Sequence, residues 1–170
     1  MSDRMTQPQP SAAKKGVVRV DIADFLAPAC AIADVRAPDK TRLLQDLARR
    51  AAAVLELPEE TIAEALLKRE EVGSTGTGDG VALPHARIAQ VKKPFGMLAR
   101  LRQAIDFEAI DGKPVDLVFM LLTPANPPGE QLNTLACAAR ALRKPDVLAR
   151  LRAAASAEEL FAAITSAATR

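Results

Sequence analysis

The run Val115-Asp-Leu-Val-Phe-Met-Leu-Leu122 has one polar residue, Asp116, among apolar neighbours. A short apolar run bounded by Pro114 and Thr123-Pro124 reads as a central strand covered on both faces, as in an α/β fold. Beyond it, Thr123-Pro-Ala-Asn-Pro-Pro-Gly129 is a connecting loop. A helix then runs to about Lys144, with Leu132, Leu135, Ala136, Ala139 and Leu142 as its stripe. Its start lies just past the end of the buried strand. In α/β folds ligands gather at that place, and helix N-termini favour anions. Pro145 opens a short helix through Arg152, and Ser156-Ala-Glu-Glu159 is a capping box opening a last helix that buries Leu160, Phe161 and Ile164.

Upstream, Asp111-Gly112 signals a turn, and Phe95–Arg102 alternates as a strand with one face wetter than the other. Ile22–Leu26 reads as one helical turn and Ala29–Val35 as a strand. A helix over 39–57 has Asp39 as its N-cap and Leu43, Leu44, Leu47, Ala48, Ala51 and Leu55 on one face. Pro58 ends it and starts a second helix to Glu71, whose stripe is Ile62, Ala65 and Leu66. Arg69 continues that stripe at i+7 from Ile62 and i+3 from Leu66. Its guanidinium either meets an anion held nearby, or pairs with a helix glutamate, or reaches water at the helix end.

Between the helices and the strands lies Gly73-Ser-Thr-Gly-Thr-Gly-Asp-Gly-Val-Ala-Leu-Pro-His-Ala-Arg87, with four of the chain's eight glycines and its only histidine, His85. Dense glycines expose backbone N–H groups, and Ser74, Thr75 and Thr77 add hydroxyl donors. The stretch reads as an anion cradle running into a nucleophile, or as a surface loop followed by an incidental histidine. Val81–Leu83 is a short strand that Pro84 limits.

Bulk composition narrows the function. The 170 residues fit a single domain, with a polar, disordered tail over 1–16 and a folded unit over 17–170. The net charge of +2 comes from Arg4, Lys14 and Lys15 against Asp3; the remainder is balanced. A balanced surface and 3% aromatic residues argue against nucleic-acid binding. Cys30 and Cys137 are far apart and read as reduced thiols, a disulfide between them being the lesser alternative. No stretch has the length of a membrane span, so no membrane insertion and a cytoplasmic location are expected. Arg140, Arg143, Lys144, Arg150 and Arg152 read as a solvated basic face or a surface for an acidic partner.

The order helix, glycines, short strand is the reverse of a dinucleotide fingerprint, and the Gly-Lys-Ser/Thr of a P-loop is absent. One histidine and two scattered cysteines make no familiar zinc site, and no nucleophile elbow is present; neither metal nor cofactor is expected. His85 remains as a nucleophile that could attack phosphorus in its neutral form, with Arg69 disfavouring the protonated ring. The loop donors would stabilise the equatorial oxygens of the transferring group.

The block Arg69-Glu-Glu-Val-Gly-Ser-Thr-Gly-Thr-Gly-Asp-Gly-Val-Ala-Leu-Pro-His85 resembles the active-site block of enzyme IIA of the bacterial phosphotransferase system, mannitol/fructose class, and most of all its nitrogen-related branch. Val115–Leu122, the following Thr-Pro and the final Ser-x-Glu-Glu-Leu helix share the resemblance, which spans about residues 21–168. It implies a single-domain, three-layer α/β/α sandwich with a mixed sheet. It implies a phosphotransferase component, with His85 phosphorylated by an HPr/NPr-like carrier, Arg69 stabilising the phosphate, and Ser74, Thr75, Gly76, Thr77 and Gly78 around it. It implies as output the regulation of a transporter, kinase or metabolic enzyme, or else delivery of phosphate to a separate IIB protein. A non-phosphorylated binding module is a further alternative. The family commonly has a second histidine where this chain has Gln131, which can donate to a phosphate oxygen but cannot exchange a proton.

Overall fold

The computed structural model describes residues 20–126 and 128–166. The tail expected over 1–16 lies outside the described residues. A 3₁₀ turn, Ile22–Asp24, leads into β1, Leu26–Val35. Helices α1, Lys40–Leu55, and α2, Glu59–Val72, follow. Three very short strands come next: β2, Gly76–Gly78; β3, Val81–Ala82; β4, His85–Arg87. Two long strands, β5 over Phe95–Ile105 and β6 over Val115–Thr123, precede helices α3, Pro128–Ala141, α4, Pro145–Ala153, and α5, Ala157–Ser166.

The sheet has the order β1-β5-β6-β3-β2, with β4 also paired to β6. It is mixed: β1 runs parallel to β5, β5 antiparallel to β6, and both β3 and β4 parallel to β6. Helices α1 and α2 pack on each other and against β5 and β4, while α3 lies on β6 and α5 on β1. The three-layer α/β/α sandwich is thus the observed fold. β6 sits at its centre, and all but Asp116 of its residues are buried. Its Phe119 meets Phe25 edge to face at 5.9 Å between centroids. Such a pair adds to what burial alone contributes.

Most local signals hold, but the α3 stripe is displaced. Leu132 is 69% exposed and Ala136 is exposed, while Thr134, Cys137, Ala138 and Ala141 are buried, so the core-facing side is one that the apolar spacing did not pick out. Asp39 caps α1 by accepting the Arg42 N–H at 2.8 Å. Ser156 Oγ accepts the Glu159 N–H, and Glu159 reaches back to the Ala155 N–H. The capping box therefore closes one residue earlier than its usual form. Phe161 is half-buried, unlike its stripe-mates Leu160 and Ile164. The expected strand ends shift outward: β1 begins at Leu26 and β5 runs on to Ile105. Both cysteines are free and buried. Burial pushes both thiols up. Cys137 Sγ donates to the Val20 carbonyl at 2.9 Å. No described helix is long and apolar enough to cross a membrane.

Candidate functional site

The glycine-rich stretch is a hairpin, a feature the sequence reading left as loop. β2 pairs antiparallel with β3, Gly76 opposite Ala82 and Gly78 opposite Val81. Asp79 and Gly80 sit between them at φ 56° and 78°. Two consecutive left-handed residues make the tight turn that Asp-Gly favours. That dipeptide was the available signal. Arg152 clamps the turn from α4, donating to the Asp79 carbonyl at 2.6 Å while pairing with Asp116 at 3.0 Å. Of the basic cluster, Arg152 is therefore a structural anchor, and Arg150 pairs with Asp146 on its own helix.

Past the hairpin, β3 and β4 form one interrupted strand along β6. Val81 pairs with Leu117 and His85 with Leu121. The pairing is interrupted at Leu83, whose N–H goes to the Thr75 carbonyl, and resumes through the Pro84 carbonyl, which accepts the Leu121 N–H at 2.9 Å. The break turns the Leu83 carbonyl towards the imidazole, and His85 Nδ1 lies 2.8 Å from it. Nδ1 therefore carries the proton, donated to Leu83, and the Nε2 lone pair is left for chemistry. Burial holds the ring below the usual histidine range; the Leu83 bond opposes this, Arg69 adds to it, and Glu70 opposes it more weakly. The ring is neutral at physiological pH, the form that can act as a nucleophile.

Arg69 occupies the last turn of α2, half-buried, and its guanidinium donates to the Gly73 carbonyl at 2.9 Å. It makes no ion pair with a glutamate among the described residues, and its charge bears on His85. The residue that continues the buried stripe is its neighbour. Glu70 stands at i+4 from Leu66 and i+8 from Ile62, and it is 8% exposed. Sequence reasoning missed it because Arg69, at i+3 and i+7, fits the same stripe.

Glu70 organises the near end of the loop. Its carboxylate pairs with Lys40 at 2.8 Å and accepts the Thr75 N–H at 3.0 Å and the Thr75 hydroxyl. Lys40 also reaches the Phe107 carbonyl at 3.4 Å and lies 5.0 Å from the Phe107 ring centroid. Ser74 Oγ donates to that same carbonyl at 2.6 Å and accepts the Gly76 N–H at 3.1 Å. A buried carboxylate is stable only when paired and hydrogen-bonded, and here four groups from three distant segments satisfy it or its partner.

The structure therefore divides the five-residue cradle. Ser74, Thr75 and Gly76 sit beside the end of α2, where the Thr75 carbonyl accepts the Leu83 N–H at 3.0 Å. The Ser74 and Thr75 hydroxyls and the Thr75 and Gly76 N–H groups are engaged within the protein. Thr77 donates back to Val81 at 3.4 Å, and Gly78 pairs with Val81, whose partner on β6 is Leu117. His85 pairs with Leu121, so Gly78 lies ~13 Å away along the sheet at ~3.3 Å per residue. Gln131 is half-buried in α3. That helix follows β6, whose last residues, Leu121–Thr123, flank His85–Arg87. Among the described residues no cluster of His, Cys, Asp and Glu is suited to a metal ion.

Comparison with known proteins places this geometry. Residues 24–167 match the family model described as phosphoenolpyruvate-dependent sugar phosphotransferase system, EIIA 2. The nitrogen regulatory protein of Bradyrhizobium diazoefficiens is 41% identical over 143 residues, covering 84% of this chain and 94% of that protein. The crystal structure of nitrogen regulatory protein IIA-Ntr from Neisseria meningitidis superimposes with a TM-score of 0.80 at 37% identity, over 85% of this chain and 99% of that one. The fold is also shared with the solution complex of enzyme IIA-mannitol and phosphorylated enzyme IIB-mannitol from Escherichia coli, with a TM-score of 0.67 at 19% identity, over 81% and 96% of the two chains.

Proposed function

We propose a phosphohistidine carrier with a regulatory output, because this chain belongs to the EIIA 2 family of the phosphoenolpyruvate-dependent sugar phosphotransferase system. The observation that carries the reading is the imidazole of His85, tethered at Nδ1 and under the charge of Arg69, a guanidinium that pairs with no carboxylate among the described residues.

The step is a phosphoryl exchange between two imidazoles. The Nε2 lone pair of His85 attacks phosphorus as the nitrogen–phosphorus bond of an HPr/NPr-like donor's phosphohistidine breaks. The electron pair of that bond returns to the donor ring, and no proton need leave His85. The product ring bears both the Nδ1 proton and the phosphoryl group, so it is formally cationic. The Leu83 carbonyl stabilises that charge, and the imidazole remains a good leaving group for onward transfer. Arg69 is the cation placed to meet the phosphoryl oxygens after exchanging its bond to Gly73. Ser74, Thr75 and Gly76 shape the wall beside it. Thr77 and Gly78 act at a distance, by setting the hairpin. Gln131 supplies an uncharged amide donor at the position where the family resemblance implies a second histidine.

Phosphate adds nearly two negative charges at one surface position, enough to change what docks there. The nitrogen regulatory names of the relatives favour a regulatory output over sugar delivery. The test combines the protein with enzyme I, an HPr-type carrier and labelled phosphoenolpyruvate. Acid-labile, alkali-stable label is expected on the wild type and none on His85→Ala. Label persisting on that variant, or none on the wild type, would overturn the carrier. Rapid passage of the label to a IIB protein and on to sugar would replace the regulatory output with delivery.

A further inference from the structure

At the opposite end of the sheet from His85, an open cleft of about 540 Å³ is lined by Arg36, Ala37, Pro38, Arg102 and Gln103. Arg102 follows Gly96 along β5, and Gly96 pairs with Leu121, the β6 neighbour of His85. The run from Gly96 to Arg102 is ~20 Å at ~3.3 Å per residue. The cleft is therefore separate from the site described above.

Its two arginines are brought together by an irregularity in β1. The register passes from Ile32 opposite Ala99 to Val35 opposite Leu101, so over this stretch β1 carries one residue more than β5. Asp34 absorbs the extra residue in a left-handed conformation, φ 56°, which a non-glycine residue adopts only with strain. Without that bulge Val35 would stand beside Arg102. With it, Val35 enters the core beside Leu101, and the next residue of each segment, Arg36 and Arg102, lines the cleft. Like charges at neighbouring positions of paired strands repel.

Neither guanidinium has a carboxylate partner among the described residues. The acidic groups nearest in sequence are committed elsewhere or stand apart. Asp39 caps α1 through the Arg42 N–H, and Asp106 accepts the Glu108 N–H. Asp34 forms no ion pair with either arginine.

We propose that Arg36 and Arg102 bind the diphosphate group of a phosphorylated small molecule. Each guanidinium is a planar fork, so two of them lining one cleft suit two adjacent phosphates, each of which can accept paired N–H donors. A diphosphate alone would leave most of the cleft empty. The remaining volume, bounded by Ala37, Pro38 and the Gln103 amide, has room for an organic group of nucleoside size, within the ~300–1,000 Å³ typical of small-molecule sites.

The test is an NMR titration of the full chain at low ionic strength, with inorganic pyrophosphate as the probe. Saturable amide shifts confined to residues 35–37 and 101–104 are expected, with orthophosphate ~tenfold weaker. Arg36→Gln and Arg102→Gln should each weaken pyrophosphate ~tenfold or more, and Arg102→Lys, which keeps the charge but loses the fork, should fall between. His85→Ala should bind as the wild type does. Both arginines are exposed, so the variants should keep the wild-type spectrum elsewhere. Three results would overturn the proposal: no saturable shift, shifts that survive in the double Gln variant, or a hexaglutamate peptide binding as tightly as pyrophosphate. The last would make the cleft a dock for an acidic protein segment.

Discussion

Two neighbouring strands divide the work of this molecule. β6 is continuous over nine residues and almost wholly buried. Beside it, β3 and β4 amount to two and three residues, split at Leu83–Pro84. The continuous strand supplies the frame. The broken one supplies the chemistry, because the gap in its ladder turns a backbone carbonyl onto the imidazole and leaves His85 half in solvent. A strand that satisfies every backbone group through its neighbours has none left to orient a side chain. The difference teaches that here reactivity sits where regular pairing stops.

The comparison can be broken by mutation, and the largest effect should fall on the frame. Phe119→Ala should lower stability by ~3–5 kcal/mol, measured by urea unfolding, since the ring is fully buried and loses its contact with Phe25. Phosphate acceptance per folded molecule should be little changed. A selective loss of acceptance in that variant would mean that frame and chemistry are not separable.

Glu70→Ala should destabilise by ~3 kcal/mol, at the lower end for a broken buried pair, because Lys40 keeps 18% of its side-chain surface in water and the Phe107 carbonyl as a partner. It also frees the Thr75 donors beside the site. Labelling of His85 should therefore change in this variant even below its unfolding temperature, and unchanged labelling kinetics would make Glu70 purely structural.

Gly76→Ala should cost ~1–3 kcal/mol, because the added methyl would lie 2.7 Å from Ala109 Cβ and 2.8 Å from its Cα, and the backbone must move. Wild-type thermal stability in this variant would show that the hairpin tolerates displacement from the 106–114 segment.

The smallest effect concerns pH. The folded-state pKa of His85 lies below that of the unfolded chain, so its contribution to stability is intact above ~6.5 and is lost as pH falls towards the lower folded value. Phosphate acceptance should stay level through pH 6.5 and decline only in more acidic solution. With one histidine in the chain, a single imidazole titration in the NMR spectrum should coincide with that decline. A midpoint at or above 6.5 would show that burial and Arg69 do not control the ring.

Much of the fold was legible in short windows. The α1 stripe, the Asp39 cap, the Ser156 cap and the apolar run of β6 are consequences of neighbours within a few residues, where helix period, capping chemistry and burial write themselves into composition. The block ending in His85 stood out differently, through its resemblance to the enzyme IIA active-site block, since on its residues alone it reads equally as a surface loop. The hairpin was not read, although Asp79-Gly80 carried its signal, because the glycines on either side looked like a ligand loop.

What the sequence by itself determined is the helices and the long strands, the lone histidine and the charged pair Arg69-Glu70 at the end of α2. Tertiary structure alone decided which member of that pair goes inside. Both fit the stripe, and Lys40 and Phe107, brought together from α1 and from the segment after β5, offer a cation and a hydrogen-bonding partner that stabilise a buried carboxylate and repel a buried guanidinium. The same holds for Leu83 facing the imidazole and for Arg36 and Arg102 lining one cleft. Each depends on strand register, and register is settled by contacts between residues that no local window contains.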